Sequence, residues 1–120
     1  MASNLPKTLK RSSEFTSLKQ SGSRVSPNKW LLLNYQANPG SLVFGITASR
    51  KVGPAVVRNK LKRWCREYFR ALAKSGISLE FKINVIFKPI DQGLFKGLEY
   101  DVFKQAMDRA LQLMQKHPIK

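Results

Sequence analysis

One segment, residues 57 to 72, limits the folds open to this chain because it has two different faces. On an α-helix its apolar side chains fall within one arc of about 100°; they are Val57, Leu61, Trp64, Cys65, Tyr68 and Leu72. Its basic and amide side chains fall within a second arc of about 140°; they are Arg58, Asn59, Lys62, Arg63, Arg66 and Arg70. The segment therefore predicts a helix that packs one face on a core and presents the other to a partner.

The basic arc lacks the acidic residues that usually accompany such a surface. Between Glu14 and Glu67 the sequence has no Asp or Glu, and the whole chain carries a net charge of +15. Like charges four residues apart, such as Arg58 and Lys62, repel each other on a helix. We therefore expect a polyanionic partner, and nucleic acid in preference to a membrane surface, because the apolar arc is committed to the core. Arginine outnumbers lysine on this arc, which favours bidentate contacts with phosphate.

The remaining segments predict an α+β sandwich with the order α-β-β-α-β-α. Two adjacent strands are expected to form a hairpin through the turn "ANPGS". The second of them has a core face and a shallow face that consists of Val43, Gly45 and Thr47. The last helix is predicted to bury a stripe of Val102, Phe103, Ala106, Ala110, Leu113 and Met114. The predicted elements are helix 12–22, strands 29–35 and 42–48, helix 55–74, strand 83–87 and helix 98–116.

The length and composition are typical of one folded unit. A chain of 120 residues with 42% hydrophobic residues can bury a core, so we interpret residues 1–120 as a single domain. Residues 1 to about 10 are expected to form a flexible basic arm, and residues 117–120 a frayed tail. The single cysteine, Cys65, excludes an internal disulfide and fits a reducing cytoplasm, and no apolar run predicts a signal peptide or a membrane span.

The sequence offers few groups for protein-based catalysis. His117 is the one histidine and lies in the predicted tail, and Cys65 falls on the apolar arc, where it is expected to be buried. The seven carboxylates are scattered and show no metal-ligand spacing. We therefore predict no catalytic residue and no metal-binding residue in the protein, and Glu67 is interpreted as an ion-pair partner of its arginine neighbours.

The stretch "FGITASRKVGPAVVRNKLKRWCREYFR" closely resembles the protein component of bacterial ribonuclease P. The resemblance extends over roughly residues 7 to 115, and Leu9, Phe15, Leu18 and Gly22 match the family's N-terminal pattern. The matching positions of the central motif are Ser49, Arg50, Lys51, Gly53, Ala55, Val56, Arg58, Asn59, Lys62, Arg63, Arg66, Glu67 and Arg70.

This resemblance implies a fold and two binding surfaces. The fold is a small α/β sandwich, shared with a domain of a ribosomal protein, whose β-α-β crossover is left-handed against the usual rule. The first surface would dock on the catalytic RNA subunit; it comprises Arg50, Lys51, Arg58, Asn59, Lys62, Arg63, Arg66 and Arg70. The second would be a cleft on the sheet for the single-stranded 5′ leader of precursor tRNA. It comprises Phe15, Lys19, Leu33, Tyr35, Val43, Gly45, Thr47 and Lys88.

The resemblance also implies a division of work. Hydrolysis would belong to the RNA subunit with Mg²⁺ held mainly by RNA, while a monomeric, cytoplasmic protein screens repulsion between RNAs and helps metal ions and substrate bind. Three alternatives stay open at this point. They are a non-catalytic RNA-binding module such as a ribosomal protein, a self-sufficient protein nuclease, and a DNA-binding helix.

Overall fold

A computed structural model describes residues 7–9, 12–76, 79–90 and 93–116 of the chain. The predicted α-β-β-α-β-α order is confirmed, and two short strands are added to it. The elements are β1 (Lys7–Thr8), α1 (Ser12–Ser21), β2 (Ser23–Val25), β3 (Leu31–Ala37), β4 (Val43–Thr47), a 3₁₀ turn (Arg50–Val52), α2 (Ala55–Lys74), β5 (Phe81–Phe87) and α3 (Tyr100–Lys116). Residues 1–6 and 10 of the predicted arm and the predicted tail with His117 lie outside the described residues.

The start of the described chain belongs to the sheet. Strand β1 pairs in parallel with β4, and the N–H of Leu9 donates to the carbonyl of Phe44 at 2.8 Å. Leu9 itself is buried. The prediction of a flexible arm is therefore wrong for residues 7–9, because a buried leucine and backbone pairing hold them against β4.

The five strands form one mixed sheet in the order β1-β4-β5-β3-β2. The predicted hairpin between β3 and β4 is wrong, because β5 lies between them. Strand β5 pairs antiparallel with β3 and parallel with β4. Ile83, Val85 and Phe87 of β5 are all buried. A central position, with a paired strand on each side, is the one in which these apolar side chains are best shielded from water.

Helix α2 connects the two parallel strands β4 and β5 and so forms a β-α-β unit. It packs on the sheet face that carries Phe44, Ile83 and Val85, since these residues share one core with the apolar side of α2. The left hand of this crossover, which the resemblance implies, stays a prediction.

The apolar arc of α2 enters the core as predicted. Val57, Leu61, Trp64, Cys65 and Tyr68 are buried, and Leu72 is partly buried against them. Trp64 lies 5.6 Å from the ring of Phe103 on α3, which joins the two helices through aromatic contacts. Burial raises the pKa of the Cys65 thiol, so this cysteine acts as a small apolar side chain.

The buried stripe of α3 differs from its prediction at one edge. Val102 is 44% exposed, whereas Met107 and Leu111 are buried beside Phe103 and Met114. The side chains at helical spacing from Phe103 face the core, and Val102 therefore lies at the edge of the buried face. The prediction for Val102 is therefore wrong.

A polar contact also links α2 to α3 and provides a test of the packing. The hydroxyl of Tyr68 donates to Oδ1 of Asp108 at 2.6 Å, and Lys104 lies 3.2 Å from the other carboxylate oxygen. Burial, followed by the bond to Asp108, raises the pKa of Tyr68, so the hydroxyl stays protonated and donates.

We expect Tyr68→Phe to lower the free energy of unfolding by about 1–2 kcal/mol, because the ring packing remains while a hydrogen bond to a charged group is lost. Urea unfolding measures the change. Tyr100→Phe serves as the control, since Tyr100 is partly buried and no hydrogen bond joins its hydroxyl to another described residue. Equal losses for the two variants would contradict the role assigned to the bond.

Candidate RNA interfaces

The predicted basic surface of α2 is present and faces away from the sheet. We call it the basic face; it consists of Arg58, Asn59, Lys62, Arg63, Arg66 and Arg70. Four of its members are exposed, while Arg58 and Lys62 are partly buried. The basic face is opposite the buried apolar arc, so contact with a partner would not disturb the core.

The basic face has little internal charge compensation. Within the described residues, Glu67 supplies the one ion pair of α2, through its Oε2 atom 3.9 Å from Nε of Arg63. Both side chains are more than half exposed, so this pair contributes little to stability. The repulsion among the remaining cations is relieved when a polyanion binds, which agrees with the predicted docking role.

The 3₁₀ turn before α2 extends the basic face. Arg50 and Lys51 are exposed on this turn, while Val52 is buried and anchors it. Nε of Arg58 donates to the carbonyl of Gly53 at 3.2 Å, which ties the turn to the first turn of the helix. Arg58 therefore has a structural contact in addition to its place on the basic face.

Lys60 shows that not every cation of α2 serves the basic face. Its Nζ donates to the carbonyls of Phe95 at 2.9 Å and Lys96 at 3.3 Å, and lies 4.9 Å from the ring centroid of Trp64. Lys60 lies between the two arcs of the helix, so its position in the sequence is consistent with this different role. It fastens the segment before α3 to α2.

A groove of about 380 Å³ lies on the opposite face of the sheet, under α1. Its cationic lining residues in the described part of the chain, Lys19 and Arg24, come from α1 and β2, and both are exposed. The groove is lined by Phe15, Thr16, Lys19, Arg24, Leu32, Asn34, Thr47, Asn84 and Ile86. A concave surface with cations, an aromatic ring and polar groups has the features that bind single-stranded nucleic acid.

The groove contains only part of the predicted cleft. Phe15, Lys19 and Thr47 line it. Val43 and Gly45 share the strand face of Thr47 but are not lining residues. Lys88 lies just beyond β5 and donates to the hydroxyl of Ser26 at 3.4 Å, so it too is not a lining residue.

The predictions for Leu33 and Tyr35 as cleft residues are wrong. In β3 these residues pair with Val85 and Ile83 of β5, and their exposures are 0% and 1%. Their side chains belong to the core on the α2 side of the sheet. The alternation of the strand places Leu32 and Asn34 in the groove instead.

Glycine at position 45 lets α1 approach the sheet closely. A Cβ atom there would lie 2.5 Å from the ring of Phe15 and 2.9 Å from Cδ1 of Leu9. The Phe15 ring thus rests directly on the backbone of β4 and forms one wall of the groove. This contact gives a physical reason for the small, shallow strand face that the sequence predicted.

Two asparagines were missed by the sequence-based site prediction. Asn34 and Asn84 are direct cross-strand partners on β3 and β5, and both are nearly buried on the floor of the groove. The hydroxyl of Thr47 donates to Oδ1 of Asn84 at 3.1 Å. The available signal was a single polar residue within each of two otherwise apolar strands, "WLLLNY" and "INVIF".

The described residues do not assemble a metal centre. Among residues 7–9, 12–76, 79–90 and 93–116, no three His, Cys, Asp or Glu side chains are grouped so that they could hold a metal ion. Helices α1 to α3, over their described residues, also do not combine the length and apolar character that crossing a membrane requires.

Comparisons with known proteins point to one family. The family model described as Ribonuclease P matches residues 5–115. The ribonuclease P protein component of Desulfatibacillum aliphaticivorans is 37% identical over 81 residues, which is 67% of each chain. That of Maridesulfovibrio salexigens is 41% identical over 64 residues, so this chain spans about half of that relative, 52%. The RNase P protein structure from Thermotoga maritima has a TM-score of 0.75 and 27% identity, with 94% of this chain and 99% of that one covered.

Proposed function

The chain belongs to the ribonuclease P protein family, and we propose that it is the protein subunit of the ribonucleoprotein that removes the 5′ leader from precursor tRNA. The basic face of α2, with Arg50 and Lys51, docks on the catalytic RNA. The groove under α1 holds the single-stranded leader. The single observation that carries this assignment is the pair of separate surfaces, a basic helix on one side of the sheet and a cationic groove on the other.

The connection between the two surfaces supports a shared path for RNA. Strand β4 ends at Thr47 in the groove, and the chain then enters the 3₁₀ turn with Arg50 and Lys51 before it reaches α2. Only a few residues separate the end of the groove from the basic face. The segment from Thr47 to α2 therefore connects one edge of the groove directly to the surface that docks on the RNA subunit.

The protein's contribution is electrostatic and positional. Its cations screen the repulsion between the two RNAs, and this raises the affinity for substrate and for Mg²⁺. The hydrolysis is carried out by the RNA subunit, with Mg²⁺ held mainly by RNA. We further propose that the protein is a cytoplasmic monomer before it joins the RNA.

The first test is the cleavage of a 5′-extended precursor tRNA at low Mg²⁺. Three reactions are compared: the protein alone, a bacterial ribonuclease P RNA alone, and the two together. We expect cleavage only in the combined reaction, because the RNA needs the protein's charge when Mg²⁺ is scarce.

Each other outcome identifies a different error. Cleavage by the protein alone would place the chemistry in the protein and overturn the subunit assignment. A protein that binds RNA but never increases cleavage would be a non-catalytic RNA-binding module. A matched substrate without a leader serves as the control for the groove, since its affinity should depend on the protein much less.

A further inference from the structure

The floor of the groove includes two amide side chains that are almost closed off from solvent. Asn34 and Asn84 are 4% and 5% exposed and lie side by side on adjacent strands. Burying an amide is costly unless it finds a hydrogen-bond partner. Their hydrogen-bonding groups therefore indicate what the groove is built to hold.

The internal hydrogen bonds satisfy only part of this floor. Oδ1 of Asn84 accepts from Thr47, which leaves the Nδ2 hydrogens of Asn84 available. The Asn34 amide has no hydrogen-bond partner among the described residues. Because no fully buried side-chain nitrogen or oxygen in the described chain lacks a partner, the free amide atoms must reach the open space of the groove.

The free groups form a pattern that distinguishes the nucleobases. Asn34 offers one donor group and one acceptor, and Asn84 adds a second donor group. Cytosine and uracil each present one donor and two acceptors along the Watson–Crick edge, which is the complement of this set. Along the same edge guanine presents two donors and one acceptor, and adenine one of each, so neither purine satisfies all three groups.

On the basis of the proposed function, we propose that Asn34 and Asn84 form a pyrimidine-selective subsite for one nucleotide of the leader. The side-chain amide of Asn34 can pair with either cytosine or uracil, because a rotation of the amide by about 180° exchanges the positions of its donor and its acceptor. Phe15 walls the same space with an aromatic ring, and Lys19 and Arg24 supply the charge for the adjoining phosphates. Base edges that are unpaired, as in a single-stranded leader, are open to this kind of recognition.

The test uses the reconstituted holoenzyme and precursor tRNAs whose leaders have equal length but different composition. The leaders consist of cytidine, of uridine, of adenosine, or of mixed adenosine and guanosine. The measurement is the holoenzyme concentration that gives half-maximal single-turnover cleavage. We expect both pyrimidine leaders to bind about tenfold more tightly than the purine leaders.

Asn34→Asp provides the decisive variant, because a carboxylate is nearly the same size but can only accept hydrogen bonds. We expect it to remove the pyrimidine preference and to favour guanosine among the leaders. Gln36→Glu is the matched control, since it adds the same charge on the same face of β3 outside the groove lining. It should weaken all leaders alike and leave the tenfold ratio unchanged.

The outcomes separate this inference from the function on which it rests. If leaders contribute to binding but purines bind as well as pyrimidines, or Asn34→Asp leaves the ratio unchanged, the subsite is overturned and the leader groove stands. If neither the leader nor the protein affects binding, the proposed function fails and the subsite fails with it.

Discussion

Alanine at both Arg58 and Arg66 is expected to weaken binding of the protein to ribonuclease P RNA by about 100-fold or more. A hydrogen bond to a charged group contributes about 1.5–3 kcal/mol, and a factor of ten in affinity corresponds to about 1.4 kcal/mol. Both arginines lie on the basic face, and Arg66 is exposed there with no described acidic partner. Their loss would remove the proposed phosphate contacts without opening the core.

The salt dependence of binding distinguishes lost phosphate contacts from a general loss of structure. Each neutralised phosphate contributes about 0.7–0.9 to the slope of log K against log salt. If each arginine contacts one phosphate, the double variant should reduce the magnitude of the slope by about 1.4–1.8. An unchanged slope together with unchanged affinity would show that the basic face is not the docking surface.

Two further variants make this experiment specific. Arg109→Ala removes an exposed arginine from α3, outside the basic face, and should leave the affinity within about threefold because distant surface charges are screened. Arg66→Ala alone separates charge from structure, because Arg58 also donates to the carbonyl of Gly53. Any effect of the single variant therefore comes from the interface and not from the 3₁₀ turn.

The bounds of the helix that carries this prediction could be identified from the sequence. Residues 55–74 were predicted as a helix, and α2 has these bounds. The periodicity succeeds for the apolar arc, because burying Leu61 and Trp64 on one side leaves Arg66 in solvent on the other. It misses Phe69, which falls within the basic arc and is nevertheless fully buried. Alternation also predicted which face of β4 carries Phe44, since large and small residues alternate clearly along this strand.

The groove was harder to predict because β3 gives no alternation to follow. The run Leu31, Leu32 and Leu33 is apolar on both faces of the strand, so a shift of one residue is not penalised by composition. Asn34 would be expected on an exposed face, yet it is nearly buried because α1 covers that side of the sheet. The assignment of Leu33 and Tyr35 to the cleft failed for this reason.

Strand order likewise depends on contacts that lie far apart in the chain. The turn between β3 and β4 is short enough for a hairpin, but a local signal does not report that β5 inserts between them. Central placement of β5 is decided by the burial of Ile83, Val85 and Phe87, a property of the assembled core. The cross-strand pair of Asn34 and Asn84 exists only in this order, so the floor of the groove was not visible in the sequence.

A second large effect is expected at the point where α1 ends against the sheet. We expect Gly22→Ala to lower the free energy of unfolding by about 3 kcal/mol or more, since overpacking that must move backbone exceeds the usual cost of about 1–3 kcal/mol. An added Cβ would lie 2.6 Å from the carbonyl oxygen of Leu18 and 2.7 Å from that of Tyr35. The first oxygen also accepts the N–H of Gly22, so it cannot move away without loss of that bond.

Urea unfolding measures this loss, and two glycine variants calibrate it. Gly97→Ala should change stability by less than about 0.5 kcal/mol, because the new Cβ would only reach van der Waals contact at 3.9 Å from the carbonyl oxygen of Gly93. Gly45→Ala should fall between the two, because its neighbours are the side chains of Phe15 and Leu9, which can rotate. A stability for Gly22→Ala equal to that of Gly97→Ala would contradict the close packing of α1 on β3.

The same variants connect stability to the leader groove. Displacing α1 at Gly22 moves the wall that carries Phe15 and Lys19, whereas α2 lies on the other side of the sheet. Under conditions in which Gly22→Ala remains folded, the part of the affinity that depends on the leader should fall while binding to the RNA subunit persists. The double alanine variant at Arg58 and Arg66 should show the reverse pattern: its affinity for the RNA subunit should fall first. Opposite responses of the two variant sets would demonstrate that the basic face and the groove bind different RNAs, because each surface can then be damaged without the other.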